Sequence, residues 1–131
     1  MTMPHERTRS LRWGFESLGE MLSDETIEES IRGTARRILL TYPRPNQILE
    51  LIEADALGLS HSAIEALIEA SKLWTRLQVS AQGNEGTQHT LKFVQRHFPE
   101  PWVSQMLDPA RTEGLRRWLL PEDFEYGRDI E

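Results

Sequence analysis

The stretch TYPRPNQIL, residues 41–49, places two prolines two positions apart between two apolar helical patterns. Pro43 ends the preceding helix, because proline lacks an amide donor and restricts the residue before it, whereas Pro45 suits the first position of a new helix. The stretch RHFPEPWVS, residues 96–104, has the same arrangement. The sequence therefore predicts two proline corners, each between a longer and a shorter helix.

Helical periodicity extends through most of the chain on both sides of these corners. From Leu11 to Leu22, for example, apolar residues recur every three or four positions, and Pro4 suits the start of this first helix. No segment has the strict alternation of a convincing strand. We predict an all-α fold, a single-domain bundle of six or seven helices over residues 1–131.

Helix ends are predicted from capping residues. Ser23 and Ser60 are candidate N-caps of the second and fourth helices, since a serine hydroxyl accepts a hydrogen bond from a free amide of the first turn. Gly58 is the candidate left-handed stop after the third helix. The segment VSAQGNEGT, residues 79–87, has the composition of a loop.

The two corners are related by a constant offset in numbering, the one that takes Tyr42 to Phe98, and each of these aromatic residues precedes a proline. The same offset relates residues 5–54 to residues 61–110, which we interpret as two pseudo-repeated helical units, followed by a C-terminal helix and an acidic tail, residues 109–131. The two aromatic residues are expected to be buried at the ends of their helices. The alternative is that proline corners recur in helical proteins without any repeat.

Charge is unevenly distributed in a chain of 15 basic and 21 acidic residues. From residue 46 to residue 71 there are five acids and no lysine or arginine, which predicts an acidic face. Exposed tryptophans are frequent anchors of protein interfaces, and two of the four are candidates here because they stand beside Pro101 or beside arginines. The candidate partner-binding residues are Glu50, Glu53, Glu65, Glu69, Trp102 and Trp118.

Catalytic and metal-binding motifs are not recognisable in the sequence. There is no cysteine, no glycine-rich phosphate loop, no GxSxG and no HExxH, and no two histidines stand three or four residues apart. His97, beside the second corner, is a candidate general base, but its position at a helix C-terminus explains it without catalysis. We predict a non-enzymatic protein with no cofactor and no metal.

A second interpretation competes for part of the acidic segment. In residues 52–70, Ala54, Gly58, Ile64 and Leu67 have the spacing of a helix-turn-helix. This pattern resembles the DNA-binding motif of bacterial repressors, yet the outward residues of its second helix include Glu65 and Glu69, which would face phosphates. Nucleic acid is therefore disfavoured as a partner. DNA binding through this segment, or through the basic cluster Arg32, Arg36 and Arg37, remains the alternative.

The segments MTMPHERTRSL and ARRILLTYPRP resemble a group of small uncharacterised bacterial or phage helical proteins with an MTxPxERTR start and an RxLLxxYP segment. The resemblance extends from the start of the chain to the region of Glu50. It implies an accessory bacterial or phage gene and no particular chemistry.

From these observations we expect an acidic protein-interaction module, of the inhibitor, immunity or antitoxin type, that binds and blocks a partner protein with a basic surface. Neither a signal peptide nor a long apolar run is present, which indicates a cytoplasmic protein that does not enter membranes. A homodimer is compatible with the sequence.

Overall fold

The computed structural model describes residues 3–98 and 114–121. These contain five α-helices and one short 3₁₀ helix, which are α1 (Pro4–Ser23), α2 (Glu29–Leu39), α3 (Pro45–Glu53), α4 (His61–Ser80), α5 (Glu85–His97) and the 3₁₀ helix (Leu115–Arg117). No strand occurs in this described part, so the predicted all-α class is confirmed. The predicted sixth helix and the start of the seventh lie outside the described residues. The end of the predicted seventh helix is only a 3₁₀ turn.

Three of the predicted helix starts are correct. Pro4 is the first residue of α1, and Pro45 is the first residue of α3. The Ser60 hydroxyl caps α4 by accepting a hydrogen bond of 3.2 Å from the Ala63 amide. Proline geometry and serine capping therefore fix these starts locally.

The predicted start of the second helix is wrong. Ser23 is the last residue of α1 and not the cap of α2. The reason is Asp24, whose carboxylate accepts a bond from the Thr26 amide and holds residues 24–26 in a turn. The second helix consequently begins only at Glu29.

Two helix ends also differ from the prediction. The third helix ends at Glu53, and the left-handed residue that follows it is Asp55, with φ of 50°, and not Gly58. The fourth helix continues to Ser80, which shortens the predicted loop to residues 81–84. Such errors are expected, because packing and local hydrogen bonds set the last turn of a helix more strongly than composition does.

The first helix is the centre of the bundle. It packs against α2, α3 and α5, while α4 packs against α2 and α5. Apolar side chains from all five helices and from the 3₁₀ helix therefore meet in one core. The largest fully buried side chains are Trp74, Leu11, Leu18, Met21, Ile27, Ile31, Ile38, Ile48, Ile52, Ile64, Leu67 and Leu77.

The first proline corner is fastened to this core by Tyr42. Its side chain is 2% exposed, and its hydroxyl donates a hydrogen bond of 2.8 Å to the Leu11 carbonyl oxygen in α1. The hydroxyl and the Trp74 ring of α4 both pass over Gly14, where a Cβ atom would lie 2.7 Å from Trp74 Cη2 and also collide with Tyr42 Oη. Phe98 meets Trp74 edge to face, with ring centroids 4.9 Å apart. The expected burial is thus confirmed for Tyr42, whereas Phe98 is only partly buried.

The segment 114–121 is held to the bundle by hydrogen bonds from arginine side chains to backbone carbonyls. Buried Arg7 of α1 donates a hydrogen bond of 2.8 Å to the Trp118 carbonyl, and the Arg116 guanidinium donates to the carbonyls of Ile52 and Glu53 at the end of α3. Burial lowers the pKa of Arg7 to about 10, although the neighbouring Glu6 carboxylate acts in the opposite direction. Arg7 is therefore still charged at neutral pH and holds this segment beside α1.

A buried carboxylate joins the two interhelical turns at the other end of the molecule. Asp24, 4% exposed, accepts hydrogen bonds from the Thr26 amide, from the Asn84 amide at 2.8 Å and from the Thr87 hydroxyl at 2.7 Å. Burial by itself would raise its pKa, but a hydrogen bond from the Thr26 hydroxyl and the three bonds just named outweigh burial and lower the pKa to about 2. The turn between α1 and α2 is thereby linked to the cap of α5.

The contact at Gly14 predicts opposite effects of the same substitution at two positions of α1. Gly14→Ala should destabilise the protein by about 1–3 kcal/mol, because the helix backbone cannot move away from Trp74 and Tyr42. Gly19→Ala should stabilise it by about 0.5–1 kcal/mol, since nothing lies within 4 Å of the added methyl group and alanine favours a helix. Urea unfolding of both variants measures this, and equal effects would contradict the packing described.

The Asp24 link predicts a specific loss of stability in acid. A carboxyl group with a lowered folded-state pKa contributes stability at pH values above about 4, where it is ionised in both states, and this contribution is lost as pH falls towards 2. Asp24→Ala should cost about 2 kcal/mol or more at pH 6 and less at pH 3. Glu25→Ala, an exposed neighbour, is the control. A pH-independent effect of Asp24→Ala on the urea midpoint would contradict this account.

Candidate functional site

An open groove of about 880 Å³ lies beside the first proline corner. Its walls are the corner itself, one side of α3, and the loop that leads into the first turn of α4. The lining residues are Leu40, Thr41, Tyr42, Pro43, Arg44, Asn46, Gln47, Glu50, Leu51, Gly58, Leu59, Ser60, Ser62 and Ala63. We call this the corner groove.

The prolines and Tyr42 explain why the chain leaves space here. Pro43 is buried and prevents α2 from continuing, and Pro45 starts α3 immediately afterwards, so that α3 leaves the corner in a new direction. Tyr42 holds the corner against α1 through its hydroxyl. The groove is consequently formed by two short connections that are anchored to the core.

The rim of the corner groove carries both apolar and charged side chains. Leu40, one of the lining residues, is 82% exposed. Arg44 and Glu50 are the charged lining residues. The Glu50 carboxylate is exposed and makes no hydrogen bond or ion pair with another described residue. An exposed leucine beside an available carboxylate is suited to contact with another macromolecule.

The four predicted acidic residues lie on α3 and α4 and are only partly brought together. Glu50 lines the corner groove, and Glu53 is the exposed last residue of α3. Glu65 is exposed and lies 3.0 Å from His61 Nδ1. Glu69 binds Arg37 of α2 at 3.1 Å, so its charge is partly compensated. Glu50, Glu53 and Glu65 are therefore the exposed acids of the predicted face, and Glu69 contributes least to it.

The two predicted tryptophans stand differently. Trp118 is partly buried against the core, and its carbonyl accepts the bond from Arg7. Trp118 thus helps to attach residues 114–121 to the bundle. Trp102 lies outside the described residues.

The segment 52–70 lacks the close helix crossing that a helix-turn-helix requires. The connection between α3 and α4 comprises residues 54–60, which is longer than the three or four residues typical of that motif. Ala54, the first residue of the helix-turn-helix spacing, is exposed, and α3 packs chiefly on α1 and the 3₁₀ helix. Asp55, in this connection, accepts a hydrogen bond from the Arg116 amide. The helix-turn-helix spacing therefore reflects the corner of a bundle.

The basic cluster on α2 is surrounded by carboxylates. Arg32 pairs with Glu29 at 2.9 Å, and Arg36 lies 3.9 Å from the same residue. Arg37 pairs with Glu69 across the interface with α4. Much of the positive charge expected on α2 is thus matched locally.

The described residues contain no group of three or more His, Asp or Glu side chains arranged to hold a metal ion. Nor does any helix within residues 3–98 and 114–121 have the length and apolar character to cross a membrane. The groups with strongly altered pKa values, Arg7, Asp24 and Tyr42, all make contacts that hold the fold together.

Comparison with known proteins finds no matching family model, no matching curated protein and no matching solved structure.

Leu40 and Phe93 are among the exposed apolar residues that are absent from the candidates predicted by sequence. Leu40 ends the run Ile38-Leu39-Leu40, and a helical stripe can bury only part of such a run, so the signal was present in the sequence. Phe93 is 39% exposed on α5. Its exposure had no signal, since it stands between the buried residues Leu91 and Val94.

Because Tyr42 holds the first proline corner against α1, we expect Tyr42→Phe to lower the stability of the protein measurably. Loss of the bond to Leu11 should cost about 1 kcal/mol at pH 7. Burial raises the pKa of the Tyr42 hydroxyl, so the folded protein keeps it neutral while the unfolded chain ionises near pH 10. Wild-type stability should therefore fall above about pH 10, and the Phe variant should lose less over this range. Urea titrations at pH 7 and about pH 10.5 measure the difference, and parallel losses would contradict it.

Proposed function

We propose that this protein is a non-catalytic, acidic interaction module that uses the corner groove to bind a partner protein with a basic surface. The observation that carries this proposal is the juxtaposition of Leu40, 82% exposed, and Glu50 on one open groove anchored to the core. An exposed apolar anchor beside charged and polar groups is the composition of a protein-binding patch.

Charge supports a basic partner. Residues 46–71, which form one wall of the groove and its continuation along α4, contain five acids and no lysine or arginine. Arg44 stands at the corner, but Glu50, Glu53 and Glu65 are all exposed nearby in the chain. Carboxylates at the rim of an interface accelerate association with a positively charged surface and discriminate against acidic partners.

The resemblance of the N-terminal segments to small bacterial or phage proteins suggests the setting of such binding. We propose an accessory protein of the inhibitor, immunity or antitoxin type, acting in the cytoplasm, which blocks a basic groove of its partner by supplying carboxylates where phosphates would bind. A DNA-binding regulator is the competing function. It is disfavoured by the same acids, since they would repel phosphates.

The pseudo-repeat belongs to the same proposal, because a second corner groove would give the module two related surfaces. Helices α1 and α4 have the same length, and the starts of α2 and α5, at Glu29 and Glu85, are related by the offset that takes Tyr42 to Phe98. On this interpretation the predicted sixth helix, which would begin after Pro101, is the equivalent of α3. An experimental structure with a different conformation in that segment would reject the repeat.

The test compares captured proteins from a bacterial lysate on three immobilised forms of the protein. The first is the wild type, the second carries Glu50→Lys and Glu65→Lys, and the third carries Glu25→Lys, a matched charge reversal in the turn between α1 and α2. We expect the specific partner on the first and third forms and its depletion on the second by about ten-fold at low salt. All three should unfold at similar urea concentrations, since the changed residues are exposed.

Kinetics with the isolated partner then separate the two functions. The double reversal should reduce the association rate, and the effect should fade as salt approaches a few tenths molar, where the screening length is about 5 Å. Leu40→Ser should instead accelerate dissociation without loss of stability. Binding of random duplex DNA, measured by fluorescence anisotropy, tests the DNA-binding alternative. Tight duplex binding by the wild type, strengthened by Glu50→Lys and Glu65→Lys, would establish the DNA-binding alternative.

A further inference from the structure

A second exposed surface lies where α1 and α5 pack together, and none of its residues lines the corner groove. It combines rings and guanidinium groups on the outer faces of both helices. Its members, which we call the ring patch, are Arg9, Arg12, Trp13, His89, Phe93 and Arg96.

The three rings of the patch form a continuous edge-to-face series. Phe93 lies 5.5 Å from Trp13 with an interplanar angle of 71°, and 4.9 Å from His89 with an angle of 76°. Phe93 is 39% exposed and His89 is exposed as well. Such contacts hold the rings in place without covering them, so little conformational entropy would be lost when a partner binds.

Two guanidinium groups lie over the Trp13 end of this series. The Cζ atoms of Arg9 and Arg12 each lie 5.9 Å from the centroid of the Trp13 ring, and Arg96 is exposed one turn after Phe93 on α5. Arg12 also pairs with Glu16 at 2.9 Å, and Glu20 accepts a weak hydrogen bond from Thr90. The first helix also carries Glu6, one turn before Arg9. Arginines and rings together are the residue types that dominate the energy of protein interfaces.

We propose that the ring patch binds a short acidic peptide segment of a second partner protein, with an apolar side chain of that segment placed against Phe93. Carboxylates match guanidinium groups in geometry as well as in charge, because two oxygens can accept two parallel N–H bonds. The proposal is independent of the corner groove, which is suited to a basic partner. The module would then have two binding surfaces of opposite charge.

Geometry favours an acidic peptide over a single-stranded nucleic acid. Bases bind by stacking on open ring faces, and successive bases require successive faces. Here the rings contact one another edge to face, and guanidinium groups lie over the largest ring, Trp13. The net charge of −6 also opposes a long polyanion, whereas a short acidic segment bears only a local charge.

The test uses full-length protein and three labelled probes in fluorescence anisotropy at about 20 mM salt, where screening is weak. The probes are an acidic peptide, GDEFEDG, the matched amide peptide GNQFQNG, and a short oligothymidine. We expect the wild type to prefer the acidic peptide over the amide peptide by at least about ten-fold. Phe93→Ser should weaken that binding about five-fold or more, and Arg96→Gln about two- to five-fold, with the latter effect lost at about 0.5 M salt.

Matched controls lie on α4, away from the patch. Val79→Ser removes an apolar side chain that is 81% exposed, and Lys72→Gln removes an exposed charge, so neither should change binding. Each variant is also tested by urea unfolding, and a binding loss is scored only where the midpoint is that of the wild type. If Phe93→Ser is unstable, Arg96→Gln alone decides the outcome.

Four results would overturn the proposal. They are absence of binding to the acidic peptide up to millimolar concentration, equal binding of the two peptides, equal loss of binding in the controls, and tighter binding of the oligothymidine, which would indicate a nucleic-acid surface.

A further variant tests the chain's own acidic tail by changing its acids, Glu122, Asp123, Glu125, Asp129 and Glu131, to amides. If this variant binds the acidic peptide about five-fold more tightly, the tail is the occupant and the assignment to a second protein is wrong.

Discussion

The close approach of Tyr42 and Trp74 over Gly14 is the constraint on which the rest of this structure depends. Three segments that are distant in the sequence meet at one point of α1, and the missing side chain of glycine provides the space. The Tyr42 hydroxyl reaches the Leu11 carbonyl there, while the Trp74 ring lies against Phe98 at the end of α5. A side chain at position 14 would collide with Tyr42 and Trp74, because buried side chains at native density have no room to move apart.

The corner groove is a consequence of that contact. Proline prevents α2 from continuing, but proline by itself does not decide where the chain goes next. The buried tyrosine does, since it fixes the corner against α1 and so directs α3 away from α4. A concave surface with Leu40 and Glu50 at its rim results. The stability of the fold and the shape of the groove are therefore coupled through one side chain.

Charge is organised differently in the interior and on the surface. Asp24 and Arg7 are buried and hydrogen-bonded, and they join segments that would otherwise separate. The surface acids of α3 and α4 and the arginines of the ring patch lie at different places of the bundle. A protein with such separation can attract partners of opposite sign to different surfaces, which supports the proposed role as an interaction module.

Local patterns in the sequence determined the helical class, the helix starts at Pro4 and Pro45, the cap at Ser60 and the burial of Tyr42. Each of these depends on a short segment, since periodicity, proline geometry and capping act over a few residues. The cap predicted at Ser23 failed because the Asp24 carboxylate holds residues 24–26 in a turn, and distant residues bind the same carboxylate. Asp24 binds Asn84 and Thr87, which are distant in the chain, and no local pattern indicates that partnership.

The same distinction applies to the candidate surfaces. The acids of residues 46–71 could be found by counting charges, yet only the fold pairs Glu69 with Arg37 and leaves Glu50 on the groove. The ring patch had no sequence signal at all, because Trp13 and Phe93 are far apart in the chain and meet only when α1 packs against α5. The sequence by itself determined which helices form and which residues are charged. The tertiary structure alone decided which side chains meet, since side-chain contacts between helices depend on how the core packs.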